Sequence, residues 1–297
     1  MKIYDCFMFF DEEMLLDLRL NIMNKYVDKF IITESAYMHS GKQKKLIFDI
    51  NKFKKFKDKI IYIPIDEEPT NLIKIDKNDT QQQKQSKMTI NAKQREMYQI
   101  NNAQIEINKA DPEDIIIVSD LDEIPDLEKI NFKQINKKFI FFKQKMFYYK
   151  LNLYYKSFPW LGSKACKKKY FKNPEWLRSI KNKIYPLWRL DTFFSETKYH
   201  NIKFINDGGW HFTNIRTPEG LEKKLLNFLH HVDYKQSGLG LSDLRKLISE
   251  KKIMYDHSAD KANNKWGEGQ KLDILRVDEM PEYIKDNIIK YKTWLEI

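Results

Sequence analysis

Residues 115–118 read Ile-Ile-Ile-Val between Asp114 and Ser119. An uninterrupted apolar run bounded by polar residues has no face to offer water, so it suits a central parallel strand covered on both sides. Directly after it comes Ser119-Asp120-Leu121-Asp122-Glu123-Ile124-Pro125. In open parallel sheets ligands sit beyond the carboxyl ends of the strands, so these three carboxylates project into the crevice. Alternation along an extended loop points Asp120 and Asp122 the same way. One can then bind a hard divalent ion while the other holds ligand hydroxyls or metal-bound water. A capped turn ahead of Pro125 is the competing structural reading.

The flanking chain sets that strand in an α/β frame. Lys2–Met8 reads as a buried strand, and Asp11 as the cap of a helix whose Leu15, Leu18, Ile22 and Tyr26 recur at helical spacing. Val27–Thr33 and Lys59–Ile65 are the next strands, with Phe53 and Phe56 in a short lysine-rich helical stretch between them. Such alternation argues for a parallel sheet. Residues 66–88, with Pro69 and the polar run Asn78–Lys87, read as a mobile insertion. Thr89–Lys109 is a helix with Ile90, Met97, Ile100, Ala103 and Ile107 on one face. Past Phe139–Tyr155, which is aromatic and strand-like, the regular rhythm is lost. A soft boundary near 130 divides a nucleotide-type half, 1–130, from an acceptor-type half, 131–297, of one continuous catalytic domain. In the second half Tyr199–Ile205 is strand-like, and helices run from Pro218 to about His231 and over Ser242–Lys251.

A second candidate is Asp207-Gly208-Gly209-Trp210-His211. Paired glycines permit positive φ and close backbone approach, and His211 is a neutral-pH ligand or proton carrier. His211 is therefore a further candidate metal ligand, and Asp207 a candidate base toward an incoming hydroxyl, against the alternative of a tight hairpin with a core tryptophan. Trp160, Trp188 and Trp210 are candidates for stacking on a sugar face. Arg95 lies in the helix before the carboxylate strand, where it reaches a phosphate or an aspartate of the loop unless it forms a surface pair with Glu96. The other histidines, at 39, 200, 230, 231 and 257, show no metal-binding spacing.

Lysine and arginine outnumber aspartate and glutamate 53 to 42, a net charge of +11 that favours anionic partners. Only seven of those cations are arginines, the usual residue for bidentate recognition, so each arginine merits scrutiny. Cys6 and Cys166 are too few for a disulfide framework and read as buried thiols. No apolar run has the length to span a bilayer. Serine-hydrolase, P-loop and dinucleotide-binding motifs do not occur.

Taken in order, Ile3–Glu12, the Leu18-Arg19-Leu20 helix, Val27–Glu34, Ser40-Gly41-Lys42, Gln94-Arg95, Ser119–Pro125 and Gly208–Phe212 resemble glycosyltransferase family 17 over about residues 2–250. This is the family of β-1,4-mannosyl-glycoprotein β-1,4-N-acetylglucosaminyltransferase. The resemblance implies a GT-A-like α/β fold, with a Rossmann-type, mostly parallel central sheet flanked by helices and a less regular acceptor-side second half. It implies inverting transfer of N-acetylglucosamine from UDP-GlcNAc with a divalent metal, Mn²⁺ or Mg²⁺. By the same resemblance Asp120 and Asp122 are the Asp-x-Asp pair, with Asp122 the direct metal ligand and Asp120 shared between metal and donor. Glu34 and the Asp5–Phe10 segment, Asp5 and Phe9 included, line the nucleotide pocket. Arg95 and the Gly208–His211 turn also match family positions.

Inversion in one displacement needs a base opposite the leaving nucleotide, and Asp207 and Glu123 are the candidates, with Asp207 preferred. Animal members of the family carry a membrane anchor, and no run of this sequence is expected to serve as one. The expectation is a cytoplasmic enzyme that glycosylates a glycan or glycolipid acceptor, with peripheral contact to anionic membrane through the lysine clusters Lys42–Lys59 and Lys164–Lys172. Two other functions compete. A metal-dependent nucleotidyltransferase or phosphoesterase could use the same carboxylates, and a basic nucleic-acid binder could use the lysine clusters, which carry no recognised nucleic-acid motif.

Overall fold

The computed structural model describes residues 1–256, 266, 267 and 269–297. Two sheets organise them. The larger contains β1 (Ile3–Phe9), β2 (Lys29–Ser35), β3 (Ile60–Ile65) and β4 (Ile115–Val118), all parallel, in the order β3-β2-β1-β4. The apolar run is β4, and its side chains divide as a strand covered on both faces requires. Ile115 and Ile117 enter one core with Phe7 and Phe9 of β1, while Ile116 and Val118 enter another with Tyr4 and Cys6. Helix α1 (Glu13–Met23) covers the first face and α2 (Gln81–Asn101) the second.

The smaller sheet begins with β5 (Glu123–Pro125), so the chain passes from one sheet to the other within the acidic segment. Beyond α3 (Gln104–Ile107), which precedes β4, the chain continues through β6 (Phe139–Phe142), β7 (Gln144–Tyr148), β8 (Leu153–Trp160) and β9 (Lys164–Lys167). β9 runs antiparallel between β4 and β6, and β10 (Ile202–Ile205) completes that sheet beside β6. β11 (Gly209–Thr213) pairs with β5 and β7 in the smaller sheet, which β12 (Asp273–Ile274) closes beside β8. Helices α4 (Pro174–Ser179), α5 (Pro218–Leu225), α6 (His231–Ser237) and α7 (Leu241–Ser249) follow in the second half, and α8 (Glu282–Asp286) and α9 (Ile288–Tyr291) return to pack near α1. The sheets therefore cross the sequence boundary at 130, because β6, β9 and β10 belong with β1–β4.

Four local expectations change. The helix expected over Thr89–Lys109 stops at Asn101, with α3 a separate turn after it. The supposed insertion 66–88 ends in helix, since α2 starts at Gln81 behind a capping box in which Gln83 N donates to Thr80 Oγ1 (3.2 Å) and Thr80 N to Gln83 Oε1 (2.8 Å). Its first turns stand clear of the core, so they carry no apolar stripe, and Ile90 is exposed as well. Asp11 does not cap α1. Glu12 occupies that position without a side-chain cap bond, and Asp11 binds Arg216 at 2.5 Å instead. The helix expected from Pro218 to His231 is two, α5 and α6. Cys6 and Cys166 are free and buried, and His257 lies outside the described residues.

Candidate active site

A cleft of about 570 Å³ opens where β1, β2 and β4 end, with Asp120, Asp122 and His211 on its wall. Its acidic floor is held from behind by Arg19. This side chain projects from α1, is fully buried, and donates to Asp5 Oδ2 (2.8 Å) and Oδ1 (2.6 Å) and to Ser119 Oγ (2.6 Å). Its remaining nitrogen donates to the carbonyls of Asp120 (3.0 Å), Leu121 (3.1 Å) and Glu123 (2.7 Å). A turn with three carbonyls converging on one guanidinium has little freedom, so the neighbouring side chains are aimed before any ligand arrives.

The two aspartates diverge in partner. Asp122 is brought to His211 by strand pairing, because His211 is in register with Glu123 and Phe212 N donates to Asp122 O at 2.8 Å. Asp122 Oδ1 lies 3.6 Å from His211 Nε2, and Oδ2 lies 3.8 Å from Lys224 Nζ. Burial works to raise its pKa, but the His211 ring and the Lys224 ammonium override that and hold the carboxyl well below the usual carboxylate range. Asp120 turns instead to Arg178 of α4, 2.9 Å away. The Asp120 side chain keeps 36% of its surface open to the cleft, yet withdrawal from bulk water lifts its carboxyl to about 7; Arg178 opposes the rise, and Glu123 and Asp122 add to it.

Arg178 also approaches Glu96 of α2 at 3.6 Å, and Glu96 accepts from Lys93 at 2.7 Å. Lys164 Nζ fixes the far end of α4 through the carbonyls of Arg178 (2.6 Å) and Ile180 (2.5 Å). Around this floor the walls differ. Phe10, His39 and Phe228 form an edge-on aromatic group on one side, with ring centres 5.0 and 5.5 Å apart. Trp160 lies against His211 on the other, at 4.7 Å between ring centres.

Several residues singled out from the sequence lie elsewhere. Asp5 does not face a ligand; its carboxylate is fully buried as the partner of Arg19. Glu34 is buried beneath the loop that follows β2, where it accepts from Lys44, from the amides of Ile47 (2.9 Å) and Phe48 (3.0 Å) and from Tyr62 Oη (2.9 Å). It thereby places Lys44, which does line the cleft. Glu123 cannot serve as a base, since its carboxylate is enclosed and accepts from Asp120 N (2.8 Å) and Trp160 Nε1 (2.5 Å), with Gly162 packed against it. Asp207 fails for a different reason. It is exposed at φ 46° and lines, with Trp210, a separate polar recess beside Asp126 and Glu279.

Arg95 sits behind the cleft, donating to Glu68 (2.5 Å) and to His39 O (3.3 Å) under Gly41. Phe9 lines the cleft as expected, Trp160 does so among the three candidate tryptophans, and Trp188 is exposed and joins no core. Lys164, expected in a surface lysine cluster, is buried in the sheet. The cleft arginine that sequence reasoning passed over is Arg178, whose only signal was its rarity in a lysine-rich chain.

Among the described residues no group of three or more histidine, cysteine, aspartate or glutamate side chains is arranged to hold a metal, and no helix is long and apolar enough to cross a membrane. The model of glycosyltransferase family 17 matches residues 1–237. No curated protein matches the chain.

Proposed function

The chain belongs to glycosyltransferase family 17 and transfers a glycosyl group, and from that premise we propose that it takes the sugar from a UDP-sugar, UDP-GlcNAc in the first instance, and passes it to a glycan hydroxyl with inversion in a metal-assisted single displacement. The observation that carries this reading is the convergence of Asp122, His211, Asp120 and Arg178 on one cleft at the carboxyl edge of a parallel sheet. The β3-β2-β1-β4 order with an Asp-x-Asp segment after β4 supports a GT-A assignment of the fold.

A divalent ion fits the residues present. Asp122 Oδ1 and His211 Nε2 offer an oxygen and a nitrogen 3.6 Å apart on the cleft wall. Asp122 and His211 would hold the ion, and the absence of a third protein ligand among the described residues leaves room for diphosphate oxygens to complete the shell. Such an ion supplies Lewis-acid stabilisation of the departing diphosphate. Lys44, Lys93, Arg178 and Lys224 of the chain add fixed positive charge around the same cleft, and the edge-on rings of Phe10 and Phe228 give an apolar wall for a base. The proton of the acceptor hydroxyl must pass to a carboxylate on the cleft wall. That excludes Asp207 and Glu123 and leaves Glu12, Glu96 and Asp120 beside Asp122.

The test is turnover of a panel of UDP-, GDP- and CMP-sugars with Mn²⁺ or chelator. One UDP-sugar should be consumed only with metal. Asp122→Asn should reduce turnover by about a hundredfold or more, the loss typical of removing a group that stabilises developing charge, while Asp207→Asn stays within about twofold, as expected of a residue outside the cleft. Equal losses from both substitutions, or turnover indifferent to chelator, would refute the assignment.

A further inference from the structure

Between α4 and β10 the chain makes an excursion whose outer side chains are apolar. Ile184, Leu187, Trp188, Leu190, Phe193 and Phe194 are all exposed, Trp188 by 78% and Phe194 by 90%. Every exposed tryptophan and phenylalanine among the described residues lies in this one segment, and none of its six apolar side chains joins any of the three cores. Single exposed apolar residues are ordinary, whereas a contiguous set marks an interaction surface.

The excursion is held in place. Lys181 N donates to Thr197 O (2.8 Å), Tyr185 N to Tyr199 O (3.1 Å) and Trp176 Nε1 to Glu196 O (2.7 Å), which ties its two legs together. At the tip Arg189 N reaches Pro186 O (3.2 Å), and Phe193 N reaches Leu190 O (3.1 Å). Behind the apolar tip lies a cationic collar, with Lys183, Arg189 and Lys198 5.8, 5.5 and 5.9 Å from the centre of the Tyr185 ring. The acids of the segment are engaged. Asp191 pairs with Arg189 and Lys198 (2.7 Å each), and Glu196 with Lys172 (3.0 Å).

We propose that this segment docks the enzyme on an anionic bilayer, with Trp188, Phe193 and Phe194 entering the interfacial zone and Lys181 and Lys183 meeting the lipid headgroups, while Arg189 and Lys198 stay paired with Asp191. Aromatic rings favour that zone, and basic side chains beside them are drawn to acidic lipid. Charge selects this occupant over a second copy of the chain, because an isologous contact would set two cationic collars against each other. The excursion springs from α4, which also carries Arg178 into the cleft. An enzyme docked through this segment would meet an acceptor that is itself lipid-borne. That last consequence rests on the glycosyl-transfer reading; the docking does not.

The test is co-sedimentation of the whole protein with vesicles of phosphatidylcholine alone and of phosphatidylcholine mixed with phosphatidylglycerol, so transferase activity plays no part in the readout. Wild type should bind the mixed vesicles preferentially and release with salt. The triple substitution Trp188→Ser, Phe193→Ser, Phe194→Ser should weaken binding by about tenfold or more, with turnover of soluble substrate unchanged. Lys181→Glu with Lys183→Glu, which leaves the apolar tip intact, should also cost about tenfold and decides the matter if the triple variant misfolds. Equal affinity for both vesicle types, no binding to either, or a dimer in sedimentation velocity that the triple substitution dissolves without altering vesicle binding would overturn the proposal.

Discussion

Arg19 serves six acceptors with its five N–H donors from a position with no exposure, and it joins α1, β1 and the acidic loop through one planar group. A buried ion pair is not a large net source of stability, yet removing one member strands the other in a dry interior. Arg19→Met is therefore expected to cost about 3–5 kcal/mol, and adding Asp5→Asn should restore part of the loss by removing the stranded charge. Urea unfolding measures both; a single substitution costing under about 1 kcal/mol, an ordinary surface value, would refute the account. At this scale the aspartates were legible because a buried strand fixes where its next residues go. Arg19 and Arg178 were not. An arginine between Leu18 and Leu20 carries no mark of facing inward, and the meeting of Arg178 with Asp120 depends on how α4 packs. Glu123 and Asp207 misled because a carboxylate near a motif looks the same in sequence whether it is enclosed, exposed or lining a cleft.

Elements followed the sequence wherever apolar periodicity was strong. β1 to β4 fall within a residue or two of the expected spans, since two-sided burial demands unbroken apolar runs. The start of α2 escaped because a capping box needs only polar residues, and the split between α5 and α6 has no Gly or Pro to announce it. β9 departs furthest from expectation. Its first residue, Lys164, looked like part of a surface cluster and instead anchors the carbonyl end of α4. Burial pushes the Lys164 ammonium down to about 7, with Glu123 pulling the other way. The folded chain therefore gives up this proton well before the unfolded one, whose lysine titrates near 10.5, so its contribution to stability rises from about pH 7 to about 10.5 and is flat below. Wild type should gain stability relative to Lys164→Met between about pH 6 and about pH 9, as read from urea midpoints. Parallel pH dependence in both proteins would rule this out. The neutral amine keeps two N–H donors, so both carbonyls stay held across that range.

For the molecule as a whole, the family match ends at residue 237, but the fold does not. Met280, Ile284, Tyr291 and Leu295 are buried in the main core; Tyr291 Oη donates to Asp17 at 2.9 Å, and Asn152 Nδ2 to Glu296 O at 2.8 Å. Four such side chains at about 1.5–3 kcal/mol each amount to a large share of the 5–15 kcal/mol that holds a typical domain together. Deleting residues 276–297 is expected to abolish cooperative unfolding and soluble yield, and a truncated chain melting with wild type would show the C-terminal helices to be dispensable. Nothing in the sequence of this tail announced its importance, because its apolar residues follow no clear period and acquire meaning only against the main core. The passage of Ser119–Pro125 from one sheet into the other has a bearing on how such an enzyme diversifies. A segment that carries the chemistry and also joins the two layers is constrained twice, so a lineage can hardly alter it to accept a new sugar without loosening its frame. Innovation would be channelled to the aromatic margins around Phe10, Phe228 and Trp160, where a residue can change its shape while the floor stays inherited.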